Sequence, residues 1–428
     1  MAIPHQFGEQ PENSENRRSY GSCDLYKSTL PYNQETDLKI LTIGDPHFKV
    51  SNIPESKAMT KNLVQMAREM KPDIIICLGD ILDRHETIHV TPLTLSIQFL
   101  EDLEDIAPLY VIIGNHDRPN NSDFMSDQHP FNALKQWKNT TVIDTVKKTR
   151  FKDKYDFIFV PYVYPGRFIE AISHLQGNDS ELDPLTYESC HALFAHQEFF
   201  GAKMGAIISQ QGDKWPHNYP LVISGHIHEY DRLQHNIIYT GTPMQHAFGD
   251  HNNKTISEYV FYPSAKRRNI PLSDIETSHS KNIDIVDESS EGIEGIEGIE
   301  WKENRLDLGL IKRIICYIHP SNIMTWVQPT NKLVKLVIRG TVSEIKAIVK
   351  LEHLNNLRKD GVKIVYKTVD DSHTEIDDND PIAPQMPYLT KLEAATASEP
   401  DVKMWFDKIF KYSDSGQVNP NVVTIKLQ

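Results

Sequence analysis

The sequence predicts an α/β fold whose chemistry gathers at the carboxyl ends of parallel strands. Apolar, β-branched runs alternate with amphipathic helical stretches through the first 230 residues, the pattern of parallel strands joined by right-handed crossovers. Four of these runs end in a glycine with polar, ligand-type side chains directly behind it. Residues 38–44 lead to Asp45 and His47, 74–79 to Asp80, 109–114 to Asn115-His116-Asp117, and 221–225 to His226 and His228. In Ile74-Ile75-Ile76-Cys77-Leu78-Gly79-Asp80, five apolar residues read as a strand buried on both faces. Gly79 permits the turn that leaves Asp80 at the strand end, where open α/β sheets place their ligands.

Taken in order, residues 1–36 are polar and aperiodic and read as a mobile leader. From Asp37 the pattern is strand 38–43, helix 57–70 with Leu63, Val64, Met66, Ala67 and Met70 on its apolar face, then strand 73–78. Lys71-Pro72 ends that helix, because the residue before proline avoids the helical region. A helix at 91–103 precedes strand 109–113, and a shorter helix is expected at 132–137. Strands 157–161, 192–195 and 221–224 make a second half, and 237–239 and 258–262 read as closing antiparallel strands, so one domain spans 37–264. Residues 265–306 read as a linker, since a Ser/His/Asp stretch is followed by a Glu-Gly-Ile repeat through Glu300. A small α+β domain is expected at 307–368, with strands 310–318, 333–338 and 362–367 and a helix at 342–357. Between Lys332 and Lys367 it holds nine Lys/Arg against three Asp/Glu, a net +6. Residues 369–428 begin acidic and end in two amphipathic stretches, 388–395 and 402–412, the second carrying Met404, Trp405, Ile409 and Phe410.

Bulk properties bound the function. A chain of 428 residues allows two or three domains. With 45 basic and 59 acidic residues the net charge is −14, so no global field recruits nucleic acid, and any such contact needs a local basic patch or metal ions. Cys23, Cys77, Cys190 and Cys316 are scattered without C-x-x-C spacing, which argues against a disulfide framework or a zinc–thiolate site and suits a reducing compartment. No apolar run approaches the roughly 20 residues that span a bilayer, and the N-terminus lacks a signal-peptide core. The expectation is an intracellular protein, cytoplasmic or nuclear, neither secreted nor membrane-bound.

Asp45, His47, Asp80, Asn115, His196, His226 and His228 supply carboxylates, one amide oxygen and imidazoles without thiolate. That donor set suits Mn²⁺, Fe²⁺ or Zn²⁺. Residues two apart in a strand-end loop can converge on one ion, as in Asp45/His47 and His226/His228. Two ions about 3.5–4 Å apart need a shared anion, for which Asp80 is the candidate, and together they acidify a water and clamp a phosphoryl group.

These residues resemble the calcineurin-like metallophosphoesterases. Their five blocks stand here in order as Asp45-Pro46-His47, Gly79-Asp80-Ile81-Leu82-Asp83, Gly114-Asn115-His116-Asp117, His196 and Gly225-His226-Ile227-His228. The resemblance implies a two-sheet α/β sandwich with helices outside. It implies one divalent ion on Asp45, His47, Asp80 and His228, and a second on Asp80, Asn115, His196 and His226. It also implies that His116 protonates the leaving oxygen or stabilises the transition state. The block from Tyr239 to Asp250 (Tyr-Thr-Gly-Thr-Pro-Met-Gln-His-Ala-Phe-Gly-Asp) is similar to that of SbcD-type nuclease subunits of double-strand-break repair complexes and their phage recombination relatives. Asp250 stands where Glu is commoner, and Asp83 where some members carry His. This closer likeness implies a DNA exonuclease and endonuclease for repair or recombination, most simply Mn²⁺-dependent, acting as a homodimer. It makes 307–368 a DNA-capping domain and the C-terminal helical stretch a dock for a coiled-coil ABC-type ATPase. A virus-encoded protein acting in a host cell fits as well. His85, Gln197, Lys332, Lys335 and Arg339 are the candidate substrate contacts. A metallophosphatase or small-molecule phosphodiesterase with the same centre, and a non-catalytic scaffold, remain alternatives.

Overall fold

The computed structural model describes residues 30–177, 190–205, 207–264 and 299–369. In chain order its elements are β1 (Leu38–Ile43), α1 (Ile53–Met70), β2 (Ile74–Cys77), α2 (Val90–Glu104), β3 (Leu109–Ile112), β4 (Thr140–Ile143), β5 (Lys147–Phe151) and β6 (Tyr155–Val160). There follow α3 (Phe168–Ser173), β7 (Ala192–His196), β8 (Lys203–Met204), β9 (Ile207–Ile208), β10 (Leu221–Gly225), β11 (Asp231–Gln234), β12 (Ile237–Tyr239) and β13 (Ile256–Pro263). The last are β14 (Ile299–Leu306), β15 (Lys312–Ile318), β16 (Lys332–Gly340), α4 (Val342–Ile348), α5 (Glu352–Lys359) and β17 (Lys363–Thr368).

Two six-stranded sheets pack face to face, ordered β14-β13-β1-β2-β3-β4 and β11-β12-β10-β7-β6-β5. Strand alternation makes both faces of each sheet apolar. Ile40, Ile74, Ile76 and Leu78 meet Phe157, Phe159, Phe194 and Ile223 between the sheets. Leu41, Ile75, Cys77 and Val111 on the opposite face meet Met59 and Leu63 of α1 and Phe99 and Leu103 of α2. Outside the second sheet, Val160, Leu193 and Val222 pack on Phe168, Ile172 and Trp215. This is the expected two-sheet sandwich with helices outside. Its parallel strands β1, β2, β3, β7 and β10 present their carboxyl ends to one edge, and the candidate ligands follow them.

Several local expectations change. The 30–36 end of the leader is anchored: Tyr32 donates to Asp73 (2.9 Å) and its ring lies under Lys39 Nζ (4.1 Å), while Tyr155 donates to the Thr36 carbonyl. Residues 132–136 form a 3₁₀ turn rather than an α-helix. β12 runs parallel to β10, and only β11 closes that edge antiparallel. Ile299–Leu306, within the interval read as linker, is strand β14, paired along its whole length with β13. Its polar sequence hid it: Glu303 accepts from Ser257 and Tyr259 in β13, partners that only the sheet supplies. The rest of that interval through 298, leader residues 1–29 and the stretches 388–395 and 402–412 lie outside the described residues.

The basic segment forms a third sheet, β15-β16-β17, wholly parallel, with a core of Val334, Leu336, Ile338, Ile348, Leu354 and Leu357. Its expected single helix is two. Leu351 takes an extended conformation (ψ 132°) and turns the chain, so that Ile348 of α4 and Leu354 and Leu357 of α5 reach the same core. Thr341 and Glu344 cap α4 reciprocally.

Candidate metal centre

The candidate ligands stand at or just past strand ends, and four of them occupy strained turns. Asp45 (φ 36°), His47 (φ 44°), Asp80 (φ 50°) and His226 (φ 81°) all occupy the left-handed region, which costs on the order of 1–3 kcal/mol per residue and persists where surrounding contacts over-determine it. Those contacts are present. His47 N–H donates to the Asp80 carbonyl (3.1 Å), His226 N–H to both Asp45 carboxylate oxygens (3.0 Å each), and His116 N–H to Asp80 Oδ1 (2.8 Å). Two glycines are required by close approach. A methyl on Gly79 would sit 2.4 Å from His196 Nδ1, and one on Gly114 would sit 2.2 Å from Asp80 Oδ1.

The donor atoms fall into two groups on either side of Asp80. Asn115 Oδ1 lies 3.0 Å from both His196 Nε2 and His226 Nδ1, and His196 Nε2 lies 3.4 Å from Asp80 Oδ1. On the other side His47 Nε2 lies 3.0 Å from His228 Nε2 and 3.7 Å from Asp80 Oδ2. The two oxygens of one buried carboxylate therefore face different groups. The outer nitrogens orient the rings: His196 Nδ1 meets the Leu78 carbonyl at 2.7 Å and His47 Nδ1 the Leu82 carbonyl at 3.2 Å. That tautomer turns each Nε2 lone pair inward, as in histidines that bind metals. Lone pairs this close repel unless a cation or proton lies between them. The residues present therefore fit divalent ions.

The electrostatics agree. Burial pushes the Asp45 carboxyl up to about 8, only partly offset by His196. Burial also opposes ionisation of Asp80, but the charges of His196, His47 and His116 hold it well below the usual carboxylate range. His196 is lifted against its own burial to about 9 by Asp80 and Asp45, while burial drives His47 well down. In the protein alone, protons on these groups offset the carboxylates, a task a metal ion performs better.

Six of the seven expected ligands fall in these two groups; the seventh, Asp45, has its carboxylate on the His226 N–H (3.0 Å) with Oδ1 3.4 Å from His196 Nδ1, and His116 stands beside them. Its side chain is one-third exposed, its Nε2 is 3.9 Å from Asp80 Oδ2, and His85 stacks on it at 4.8 Å with planes 16° apart. Asp83 contacts His47 (3.8 Å) and pairs with Lys49 (3.0 Å). Gln197 is fully buried, its amide engaged with Asp213 (2.8 Å) and Val163 N–H (3.4 Å), so it does not line the groove as expected. Lys335 and Arg339 share a face of β16, while Lys332 falls by alternation on the other. His246 was not among the expected site residues, yet its ring lies 5.0 Å from His47 and 5.7 Å from His228. Asp117 is a buried tie that accepts from Leu82 N–H (2.9 Å) and Gly114 N–H (3.1 Å) and so locks the β2 and β3 loops together. The Gly-Asn-His-Asp block contained that signal.

No helix among the described residues is long and apolar enough to cross a membrane. The profile of the family Calcineurin-like phosphoesterase matches residues 38–230. The chain is similar to "Putative phosphoesterase 244L" of Invertebrate iridescent virus 6, 42% identical over 261 residues, a match that covers 59% of this chain and 88% of that protein. It is similar also to "Putative phosphoesterase 078R" of Invertebrate iridescent virus 3, 43% identical over 227 residues, covering 53% of this chain and 63% of that one. With this fold, this donor set and these relatives, the chain belongs to the calcineurin-like phosphoesterases, hydrolases that use divalent metal ions.

Proposed function

We propose that this phosphoesterase is a two-metal phosphodiesterase that cuts DNA, akin to SbcD-type nuclease subunits. The observation that carries the choice of DNA is the face of the third sheet turned away from its helices. Strand alternation puts Lys335 and Arg339 of β16 with Lys363 and Lys367 of β17 on that face, beside exposed Tyr317 of β15, whose ring lies 4.3 Å from the Arg339 guanidinium. Clustered cations with an aromatic surface suit a nucleic-acid backbone and its bases. The groove beside His226 and His228, 840 Å³ and bordered by Lys203, Tyr230 and Arg305, is larger than a lone phosphate needs.

Asp45, His47, Asp80 and His228 would hold one ion, and Asp80, Asn115, His196 and His226 the other. When bound, two such ions, Mn²⁺ in this reading, acidify an attacking water and neutralise phosphoryl charge. The protein's own work is to orient. The Leu78 and Leu82 carbonyls fix the ligand tautomers, the His116 N–H holds Asp80, and the partly exposed His116 ring, backed by His85 and 3.9 Å from Asp80 Oδ2, is the proton carrier for the departing oxygen. The same reading includes 3′→5′ exonuclease and single-strand endonuclease activity, a homodimer and a coiled-coil ATPase partner. The named relatives are viral, which supports action inside a host cell.

The test pairs two substrates at one metal load: end-labelled DNA and p-nitrophenyl phosphate esters with Mn²⁺. DNA cleavage is expected. Hydrolysis of the monoester without DNA cleavage would replace this reading with a phosphatase, and no hydrolysis of either with a scaffold. Replacing Lys335, Arg339, Lys363 and Lys367 by alanine should weaken DNA binding and lower its log–log salt slope by about 0.7–0.9 for each phosphate no longer neutralised, while bis-p-nitrophenyl phosphate turnover stays unchanged.

A further inference from the structure

Among the described residues, Arg313 links the third sheet to the turn that carries His246. Arg313, near the start of β15, has its main chain clasped by the Gln245 amide: its N–H donates to Oε1 (2.7 Å) and its carbonyl accepts from Nε2 (3.2 Å). Its guanidinium, 11% exposed, donates to Glu55 Oε1 of α1 (2.8 Å) and to the His246 carbonyl (3.0 Å). His246 is buried in turn. Its Nε2 donates to the Asp45 carbonyl (3.0 Å), and its ring packs edge-on against His47 and at a slant against His228. Its Nδ1 has no hydrogen-bond partner among the described residues. Asp250 holds the same turn by accepting from the N–H groups of His246 and Ala247 (2.7 and 2.9 Å). Neither Arg313 nor His246 touches Asn115, His196 or His226 in these contacts; the link to that group runs through Asp45, whose carboxylate accepts from His226 N–H (3.0 Å) and lies 3.4 Å from His196 Nδ1.

We propose that Arg313 and His246 are positioning residues chiefly for one of the two ion positions, so that seating of the β15–β17 sheet acts directly on Asp45, His47 and His228 and reaches the Asn115/His196/His226 group only through the Asp45 carboxylate. The inference rests on the two-metal reading above. The guanidinium is a planar fork that satisfies Glu55 and the His246 carbonyl together, which neither lysine nor a neutral side chain can do. Without it the 245–250 turn loses its hold on the His246 ring. The Asp45 carbonyl and the His47 ring then lose the surface against which they are set.

The experiment is Mn²⁺ titration of the full chain by calorimetry and electron paramagnetic resonance. Wild type is expected to bind two ions with the spin coupling of a close pair; if it binds fewer, the two-metal reading fails and this inference with it. Given two ions in wild type, Arg313→Ala should keep one at wild-type affinity, weaken the other at least tenfold and lose the spin coupling. Arg313→Lys should recover little, and His246→Phe, which keeps the ring but loses the bond to Asp45, should behave like Arg313→Ala. By linkage, the weaker ion should slow amide exchange in residues 312–318 of wild type and not of Arg313→Ala. Two ions at unchanged affinity in folded Arg313→Ala or His246→Phe, or equal weakening of both ions, would overturn the proposal. If Arg313→Ala does not fold, His246→Phe decides alone.

Discussion

Gly114→Ala tests whether Asp80 is held as tightly as the geometry says. The added methyl would lie 2.2 Å from Asp80 Oδ1 and 2.3 Å from Asp80 N, against ordinary contact from 3.4 Å, so one side must give by about 1.2 Å. Neither neighbour is free to move. Oδ1 already accepts from His116 N–H (2.8 Å), and Asp80 is buried at a left-handed φ of 50°. Overpacking of this kind costs about 1–3 kcal/mol, equivalent to a fall of about 2–12 °C in Tm. The larger effect falls on chemistry. Displacing a catalytic group by about 1 Å lowers rates by about 10²-fold, or about 2.7 kcal/mol of transition-state stabilisation. The assay is hydrolysis of bis-p-nitrophenyl phosphate with saturating Mn²⁺, alongside thermal unfolding and metal titration. A Gly114→Ala protein that binds two ions as wild type does and turns over within about twofold of it would refute the claim that Asp80 is fixed.

Three further outcomes follow from the same geometry. His116→Ala should bind metal normally yet lose about 10²–10⁴-fold in turnover, and full DNA cleavage by this variant would remove the proton-carrier role. The metal-free protein should lose stability as pH rises. Asp45 (up to about 8) and His196 (up to about 9) both favour their protonated forms when folded, so their contributions are whole below the unfolded values, roughly 3.9 and 6.5, and gone above the folded ones. Asp80, held low, acts oppositely and only in acid. Since metal ions displace those protons, the Tm gained on adding Mn²⁺ over EDTA should grow between pH 6.5 and 9, and a flat gain would contradict this account. Gln197→Ala should lower stability by about 1–3 kcal/mol, by removing the partner of Val163 N–H and one of the three hydrogen bonds to Asp213, without altering DNA affinity; a selective loss of DNA affinity would restore it to the groove.

What the sequence determined by itself was local. Each strand–glycine–ligand unit is written in about ten contiguous residues, so β-branched runs, obligatory glycines and polar strand ends could be read one at a time, and six candidate ligands with them, whereas His196, with no glycine before it, came from the family pattern. Tertiary structure decided what depends on distant pairs. Glu303 makes a strand of a polar stretch only because Ser257 and Tyr259 face it, and Gln197 is withdrawn from the groove only because Asp213 claims its amide. His246 enters the centre only because the 245–250 turn, clasped by Arg313, sets it against Asp45 about 200 residues away in sequence. The direction in which each oxygen of Asp80 points belongs to the same class. It is fixed by side chains from β1, β3, β7 and β10 acting at once, and such many-body placement leaves no trace in the spacing of residues along a chain.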